Sequence, residues 1–153
     1  MRNHYWTPTD FRAVKQASSY EELLAVALRV MKQTPQPLHQ VCGPISTGGL
    51  GNLEANLKEF DRAIEYFSKH VNVFDQVPFE GPMQELKKQE TKSLMQTFYK
   101  PLFTSGYIHK LLFLPGWETS TGAQTEMRWA KKYGIAYIQL PTDWDEHTTY
   151  LKK

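Results

Sequence analysis

The sequence has little that could crosslink the chain or hold it in a membrane. Cys42 is the only cysteine, so no disulfide can form within the chain, which is compatible with a reducing compartment. No apolar run approaches the roughly 20 residues that a membrane span requires, and the first residues lack the apolar stretch of a signal peptide. We therefore expect a cytoplasmic protein without membrane contact.

The sequence also has little net charge. The formal charge of +2 at pH 7 is too small to attract a polyanion, and the basic residues form no block. Scattered lysines are typical of solvated helix faces, as at Lys87, Lys88, Lys92, Lys100 and Lys110. We therefore do not expect a nucleic-acid polymer as a partner.

The histidines lack the spacing of metal ligands. They are dispersed along the chain at His4, His39, His70, His109 and His147. We expect neither a bound metal nor a cofactor.

The composition is that of one globular domain rich in aromatic side chains. A chain of 153 residues with 41% hydrophobic and 22% charged residues can build one hydrophobic core. Aromatic residues make up 13% of the chain, with four Trp, eight Tyr and eight Phe. This ring surface either fills the core or contributes to a ligand pocket and a subunit contact.

Apolar periodicity and turn residues divide the chain into alternating strands and helices. Residues 1–17 show no clear period and are expected to form an irregular arm, followed by one domain over 18–153. The first expected elements of that domain are a helix capped by Ser19 and Glu22 with Leu24, Ala27, Leu28 and Met31 on one stripe, a strand over Leu38–Cys42, a helix from Leu53 to Phe67 and a strand over Val71–Phe74 closed by Val77-Pro78. They are followed by a helix over 83–99, a strand over Leu111–Leu114, a helix over 122–133, a strand over Ile135–Leu140 and a loosely packed polar tail. This order predicts an α/β fold with a parallel sheet covered on both faces, a three-layer sandwich.

A glycine-rich loop follows the first expected strand. Gly43–Asn52 contains four glycines and two hydroxyl residues and leads into a helix start. Free amides and the helix dipole at such a place favour an anion, although the loop matches neither a dinucleotide fingerprint nor a phosphate-binding Walker loop. The loop is therefore either a phosphate site or a glycine-rich turn without a ligand.

The helix expected at 122–133 carries a carboxylate on its inward face. Ala123, Glu126, Ala130 and Tyr133 are spaced three, four and three residues apart, and Ser120 is a plausible N-cap. Small residues suit close packing on a sheet, so Glu126 needs a solvated cavity or a partner. The alternative is an exposed helix-start glutamate that the helix dipole favours.

Three motifs in order resemble the nucleoside 2-deoxyribosyltransferase-like superfamily. They are Gly43-Pro44-Ile45-Ser46 followed by Asn52, then Leu114-Pro115-Gly116-Trp117, then Ser120-x-Gly122-Ala123-x-x-Glu126. The closest similarity is to a small phage and bacterial branch that carries LPGW, and the resemblance covers residues 38–140. It implies a flavodoxin-like or Rossmann-like fold with about four to five strands, and a homo-oligomer.

The resemblance also implies an activity. Glu126 would be a nucleophile that attacks the anomeric carbon and forms a covalent glycosyl intermediate, as in retaining glycosidases. Relatives that hydrolyse nucleoside 5′-monophosphates have Ser at the position of Ser120, which favours a nucleotide over a nucleoside. The substrate-binding residues implied are Gly43, Pro44, Ile45, Ser46, Gly48, Asn52, Trp117, Ser120 and Gly122.

Three positions depart from that family. Gln40 stands where a tyrosine is usual, no acid lies near 99–104 where an aspartate is usual, and His109 replaces another aspartate. These departures leave a second hypothesis open, a nucleotide-binding module that has lost catalysis. A purely structural role is the third, and it would not explain why both loops are polar and glycine-rich.

Overall fold

The computed structural model describes residues 5–152, which form a three-layer α/β sandwich. The elements in chain order are α1 (Pro8–Gln16), α2 (Tyr20–Gln33), β1 (Leu38–Cys42), α3 (Leu53–Phe67), β2 (Asn72–Val73), α4 (Val77–Lys87), a π-helical turn (Met95–Tyr99) continuing into α5 (Lys100–Phe103), β3 (Ile108–Phe113), a 3-10 turn (Trp117–Thr119), α6 (Thr121–Tyr133), β4 (Ala136–Gln139) and a final 3-10 turn (Thr149–Lys152). None of the helices within 5–152 combines the length and apolar composition of a membrane span.

The four strands form one parallel sheet in the order β2-β1-β3-β4. The prediction of a parallel α/β fold of the flavodoxin or Rossmann type is confirmed. β1 is buried over its whole length because it lies between two neighbours and under helices on both faces. The period-two alternation of β3 divides its side chains, with Leu111 and Phe113 on one face and Leu112 and Leu114 on the other.

The two faces are covered by different elements. α1, α2, α4, α5 and α6 contribute side chains to the core on one face. On the other face α3 packs with Phe60, Ile64 and Phe67, as its apolar spacing predicts. The buried stripe of α2 is Leu23, Val26, Ala27, Val30 and Met31, so the predicted helix is confirmed with its face turned by one residue.

The expectation of an irregular arm over 1–17 is wrong for the part that the structure describes. Pro8–Gln16 is a helix, started by a capping box in which the Thr7 hydroxyl accepts from the Asp10 amide and the Asp10 carboxylate accepts from the Thr7 amide. The buried Asp10 carboxylate also accepts hydrogen bonds from Arg29 at 2.6 Å and from Gln33 at 3.0 Å. These contacts dock α1 onto α2. Residues 1–4 lie outside the described residues.

Two further expectations are corrected. The segment 83–99 is not one helix, because α4 begins at Val77 and ends at Lys87, and the chain resumes helical structure only at Met95. Pro78 lies in the first turn of α4 instead of closing a strand, because proline fits the first turn of a helix. The tail is not loosely packed: Trp144 and Tyr150 are buried against Phe67 of α3.

Candidate functional site

The candidate site lies at the carboxyl ends of β1 and β3, where ligands gather in open parallel sheets. Gly43 follows β1 and Leu114 follows β3, and the Leu114 amide donates to the Cys42 carbonyl at 2.8 Å. The glycine-rich loop and the loop that carries Trp117 therefore leave the sheet side by side.

Hydrogen bonds join these two loops. The Gly49 amide donates to the Thr119 hydroxyl at 2.7 Å, and the Thr121 amide donates to the Thr47 hydroxyl at 3.1 Å. Gly48 fits this junction only because it has no side chain: a Cβ atom there would lie 2.2 Å from the Thr119 carbonyl oxygen, and its φ is +68°.

The side chain of Asn56, near the start of α3, holds the loop from the inside. Its carbonyl oxygen accepts from the Leu50 amide at 2.9 Å, and its amide donates to the carbonyls of Ile45 at 2.9 Å and Gly48 at 3.1 Å. Asn56 is buried, so these three bonds have little competition from water. Sequence reasoning missed this residue.

Three amides in the middle of the loop, those of 49–51, are bonded within the protein. The amides of Gly49 and Leu50 are bonded as described, and the Gly51 amide donates to the Gly48 carbonyl at 3.2 Å. The expected contacts with an anion are therefore left to the other amides, among them those in the first half of the loop, and to the N-terminus of α6.

A cavity of about 100 Å³ opens between this first half and α6. It brings together six of the residues predicted from the sequence, namely Gly43, Ile45, Ser46, Ser120, Gly122 and Glu126. Clefts that enclose a drug-sized ligand usually measure about 300–1,000 Å³. A cavity of this size therefore encloses a small group or part of a larger ligand, and not a whole drug-sized molecule.

The four other predicted residues do not line this cavity. Pro44 lines a separate cleft beside Trp144, and Gly48 packs against Thr119. Asn52 caps α3 by accepting from the Ala55 amide at 2.8 Å. The Trp117 ring packs on Phe113, and its indole donates to the Gln139 side chain at 3.3 Å. These residues shape and hold the loops around the cavity.

Glu126 is the buried carboxylate that the helix periodicity predicts. α6 begins at Ser120, whose hydroxyl accepts from the Ala123 amide, and the stripe of Ala123, Glu126 and Ala130 faces inward. Tyr133, predicted on the same stripe, is 38% exposed. Burial raises the pKa of Glu126 to about 8, although contact with the Cys42 thiol partly opposes this increase. The reading of Glu126 as an exposed helix-start charge is excluded.

A second carboxylate, which sequence reasoning missed, lines the same cavity. Glu80 of α4 is 7% exposed, and burial raises its pKa to about 7, while a hydrogen bond from the Gln76 side chain lowers it. Sequence reasoning does not place Glu80 on a helix, because it takes Pro78 as the end of a strand. The signal was present: Gln76, Glu80, Met83 and Lys87 recur at helical spacing and all line the cavity.

Gln40 lies on the sheet beneath this cavity and connects to Glu80. Its side-chain amide donates to the side-chain Oε1 of Gln76 at 3.1 Å, and the Gln76 side chain in turn donates to the Glu80 carboxylate. The Gln40 Oε1 and Glu80 Oε1 atoms are buried and have no hydrogen-bond partner within residues 5–152. Buried polar atoms normally find a partner, and Glu80 lines the cavity, so its Oε1 is a candidate for contact with a ligand.

The remaining walls are mainly apolar and neutral. Met83, Leu94 and Met95 line one side together with Tyr99, whose hydroxyl donates to the Met83 sulfur at 3.7 Å. Burial raises the pKa of the Tyr99 phenol well above its usual value, and the nearby Glu80 and Glu126 raise it further, so it stays protonated. The cavity therefore holds two carboxyl groups among mainly apolar walls, with Lys87 at its rim.

The residues described offer no metal site and place His109 elsewhere. No group of three His, Cys, Asp or Glu side chains within 5–152 is arranged to hold a metal ion. His109 lies at an irregular point of β3 with its ring 5.8 Å from that of His39, at the amino ends of the strands and away from the cavity. His109 is therefore no part of this candidate site.

Comparison with known proteins finds one family. Residues 40–139 match the model of a family described as a domain of unknown function, DUF4406. No significant match is found among curated proteins or among solved structures. The matched residues run from β1 to β4 and include every residue named above as lining the cavity. Because the match spans more than half of the sequence, the chain belongs to the DUF4406 family.

Proposed function

We propose that the protein cleaves or exchanges the N-glycosidic bond of a nucleotide, with Glu126 as the nucleophile. A nucleoside 5′-monophosphate is the favoured substrate. The observation that carries the proposal is the burial of the Glu126 carboxylate, 8% exposed, in a cavity between the glycine-rich loop and the N-terminus of α6. This is the position at which the resemblance to nucleoside 2-deoxyribosyltransferases calls for a nucleophile.

The chemistry requires an ionised carboxylate beside the sugar. One Glu126 oxygen would form a bond to the anomeric carbon as the bond from that carbon to the base breaks. Water or a second base would then displace Glu126 and complete hydrolysis or transfer. A pocket that excludes water favours this sequence, because positive charge developing on the sugar is stabilised by a nearby carboxylate that water does not screen.

The phosphate would lie at the mouth of the cavity. The amides of Ser46 and Gly122 make no hydrogen bond within residues 5–152, and both residues line the cavity. Gly122 lies in the first turn of α6, where the helix dipole favours an anion. Lys87, which is exposed, supplies a positive charge at the rim.

A nucleotide-binding module without catalysis is the second candidate. The raised pKa of Glu126 favours it, because a carboxyl group that is mainly protonated at neutral pH is a poor nucleophile. In this case the same residues would bind a nucleotide that leaves the protein unchanged.

Base release by the wild type and by Glu126→Gln separates the two candidates. A panel of nucleoside monophosphates is incubated with each protein, and free base is measured by chromatography. We expect release by the wild type, none by Glu126→Gln, and unchanged release by Glu118→Gln, which alters an exposed carboxylate just before α6. Equal rates in wild type and Glu126→Gln would refute the nucleophile. Nucleotide binding by calorimetry without release would favour the binding module.

A further inference from the structure

Burying the Glu80 carboxyl group should lower the free energy of unfolding, and the contacts within the described residues do not fully compensate for this loss. Its carboxylate is buried in the cavity wall, one oxygen has no hydrogen-bond partner within residues 5–152, and no cation pairs with it among the described ion pairs. Leucine or methionine at this place would pack without that cost. A buried carboxyl group with an unpartnered oxygen, in a cavity that holds a second carboxyl group, indicates a role in chemistry.

We propose that Glu80 is the general acid of this site and protonates the departing base while Glu126 attacks the sugar. The inference rests on the function proposed above. It is carried by position, because Glu80 comes from α4 and Glu126 from α6, so the two carboxyl groups enter one cavity from different helices. The unpartnered Glu80 Oε1 is available for a hydrogen bond to a base.

The proposed step balances in atoms and charge. The bond between the anomeric carbon and the base nitrogen breaks, and its electron pair stays on the base. The Glu80 O–H proton moves to the base, which leaves neutral, and Glu126 forms the new bond to the anomeric carbon. In the second half Glu80, now a carboxylate, removes a proton from water or from the incoming base as that nucleophile displaces Glu126.

Burial favours the protonated form of Glu80, and a hydrogen bond from the Gln76 side chain on the same helix opposes it. Glu126 faces Glu80 from α6 and Tyr99 faces it from the π-helical turn, while Lys87 on its own helix is exposed at the rim. Burial raises the pKa of Glu80 to about 7, so the group still holds a proton near neutrality.

The proton distribution between the two carboxyl groups sets the reactive form. Burial raises the pKa of both carboxyl groups, so the pair holds a proton near neutrality. In the reactive form this proton lies on Glu80 and the negative charge lies on Glu126. Positive charge developing on the sugar favours this form, because it stabilises ionised Glu126.

Leaving groups of different basicity test the role of Glu80. One substrate is a nucleoside monophosphate whose base needs a proton to leave. The other is an N7-methylated purine nucleotide, whose base carries a positive charge and leaves neutral without one. We expect Glu80→Gln to lose about 10²–10⁴-fold on the first and less than about tenfold on the second. Glu85→Gln, an exposed change on the same helix, should retain both activities.

The pH profile supplies a readout that a structural role would not move. For the wild type kcat/KM should fall as pH rises through the pKa of the acid, and Glu80→Gln should lose this alkaline decline. An equal loss on both substrates with the decline retained would overturn the proposal, as would full activity on both. If Glu80→Gln fails to fold by circular dichroism, Glu80→Asp is tested with the same pair, and the same substrate dependence is expected.

Failure of the proposed function gives a different result. If the wild type releases base from neither substrate, the proposed function fails and the role of Glu80 fails with it. If the wild type is active and Glu126→Gln inactive, while Glu80→Gln is indistinguishable from the wild type, only the role of Glu80 is refuted.

Discussion

Replacing Glu126 with Gln should make the protein more stable at high pH. The Glu126 carboxyl group ionises in the unfolded chain near its usual pKa of 4.5, whereas burial raises its pKa in the folded protein to about 8. Between these values the folded state binds more protons than the unfolded state, so the free energy of unfolding decreases as pH rises. The amide of Gln has a similar shape and does not ionise.

The magnitude follows from the two pKa values. They differ by 8 − 4.5 = 3.5, and each pKa step corresponds to about 1.36 kcal/mol, so Glu126 costs up to about 5 kcal/mol above pH 8. Domains of this size have a total stability of about 5–15 kcal/mol. The cost corresponds to roughly 10–20 °C in melting temperature.

Urea denaturation at pH 5, 7 and 9 measures this effect. The wild type should lose stability between pH 5 and pH 9 relative to Glu126→Gln, and most of the difference should develop below pH 8. Glu118→Gln serves as the matched control, because Glu118 is an exposed carboxylate just before the same helix. Any fixed cost of burying the Gln amide shifts the whole curve of the variant and leaves its pH dependence unchanged.

Parallel stability curves would refute the reasoning. If the wild type and Glu126→Gln differ by a constant amount from pH 5 to pH 9, the Glu126 carboxyl group does not ionise differently in the folded and unfolded states. The cavity would then solvate Glu126 as well as bulk water does, and the argument for an activated, water-excluded carboxylate would fall.

Three further predictions concern the loop, the first helix and the assembly. Gly48→Ala should reduce the free energy of unfolding by about 2–5 kcal/mol in urea denaturation, because its Cβ atom would meet the Thr119 backbone. Gly51→Ala, with open space around it, should reduce it by only about 1–2 kcal/mol, and equal losses would contradict the close approach at Gly48. Burial alone would raise the pKa of Asp10, but its hydrogen bonds, among them that from Arg29, lower the pKa to about 2. Asp10→Asn should therefore reduce the free energy of unfolding by about 1.5–3 kcal/mol at pH 7 and by progressively less as pH falls from 4 to 2. A loss that is unchanged at pH 2 would contradict this. We also propose a homo-oligomer, and light scattering should give at least twice 17.8 kDa; a monomer at high concentration would refute this.

Local patterns alone predicted much of the sheet and its neighbouring helices. Three patterns indicate directly which side chains are buried. They are the apolar run of β1, the four-and-three spacing of apolar residues in α3 and the small-residue stripe of α6. Because a helix face or a strand is buried or exposed as a unit, these patterns survive in the folded protein. Glu126 was found for the same reason, since its position on the stripe follows from helical spacing.

Other segments gave signals that allow two readings. Thr7, Pro8 and Asp10 form a helix start, but the short apolar pattern after them did not distinguish a helix from an arm. Pro78 fits both the end of a strand and the first turn of a helix. In each case the structure is decided by contacts far along the chain, such as those from Asp10 to Arg29 in α2.

The sequence by itself determined the four strands, their parallel arrangement and the inward position of Glu126, because these depend on the periodicity of neighbouring residues. Only the tertiary structure decided that Glu80 shares a cavity with Glu126, that Asn56 holds the glycine-rich loop and that Trp144 is buried. The physical reason is that burial and proton affinity depend on which helices meet, and residues 46 positions apart meet only after the sheet has formed.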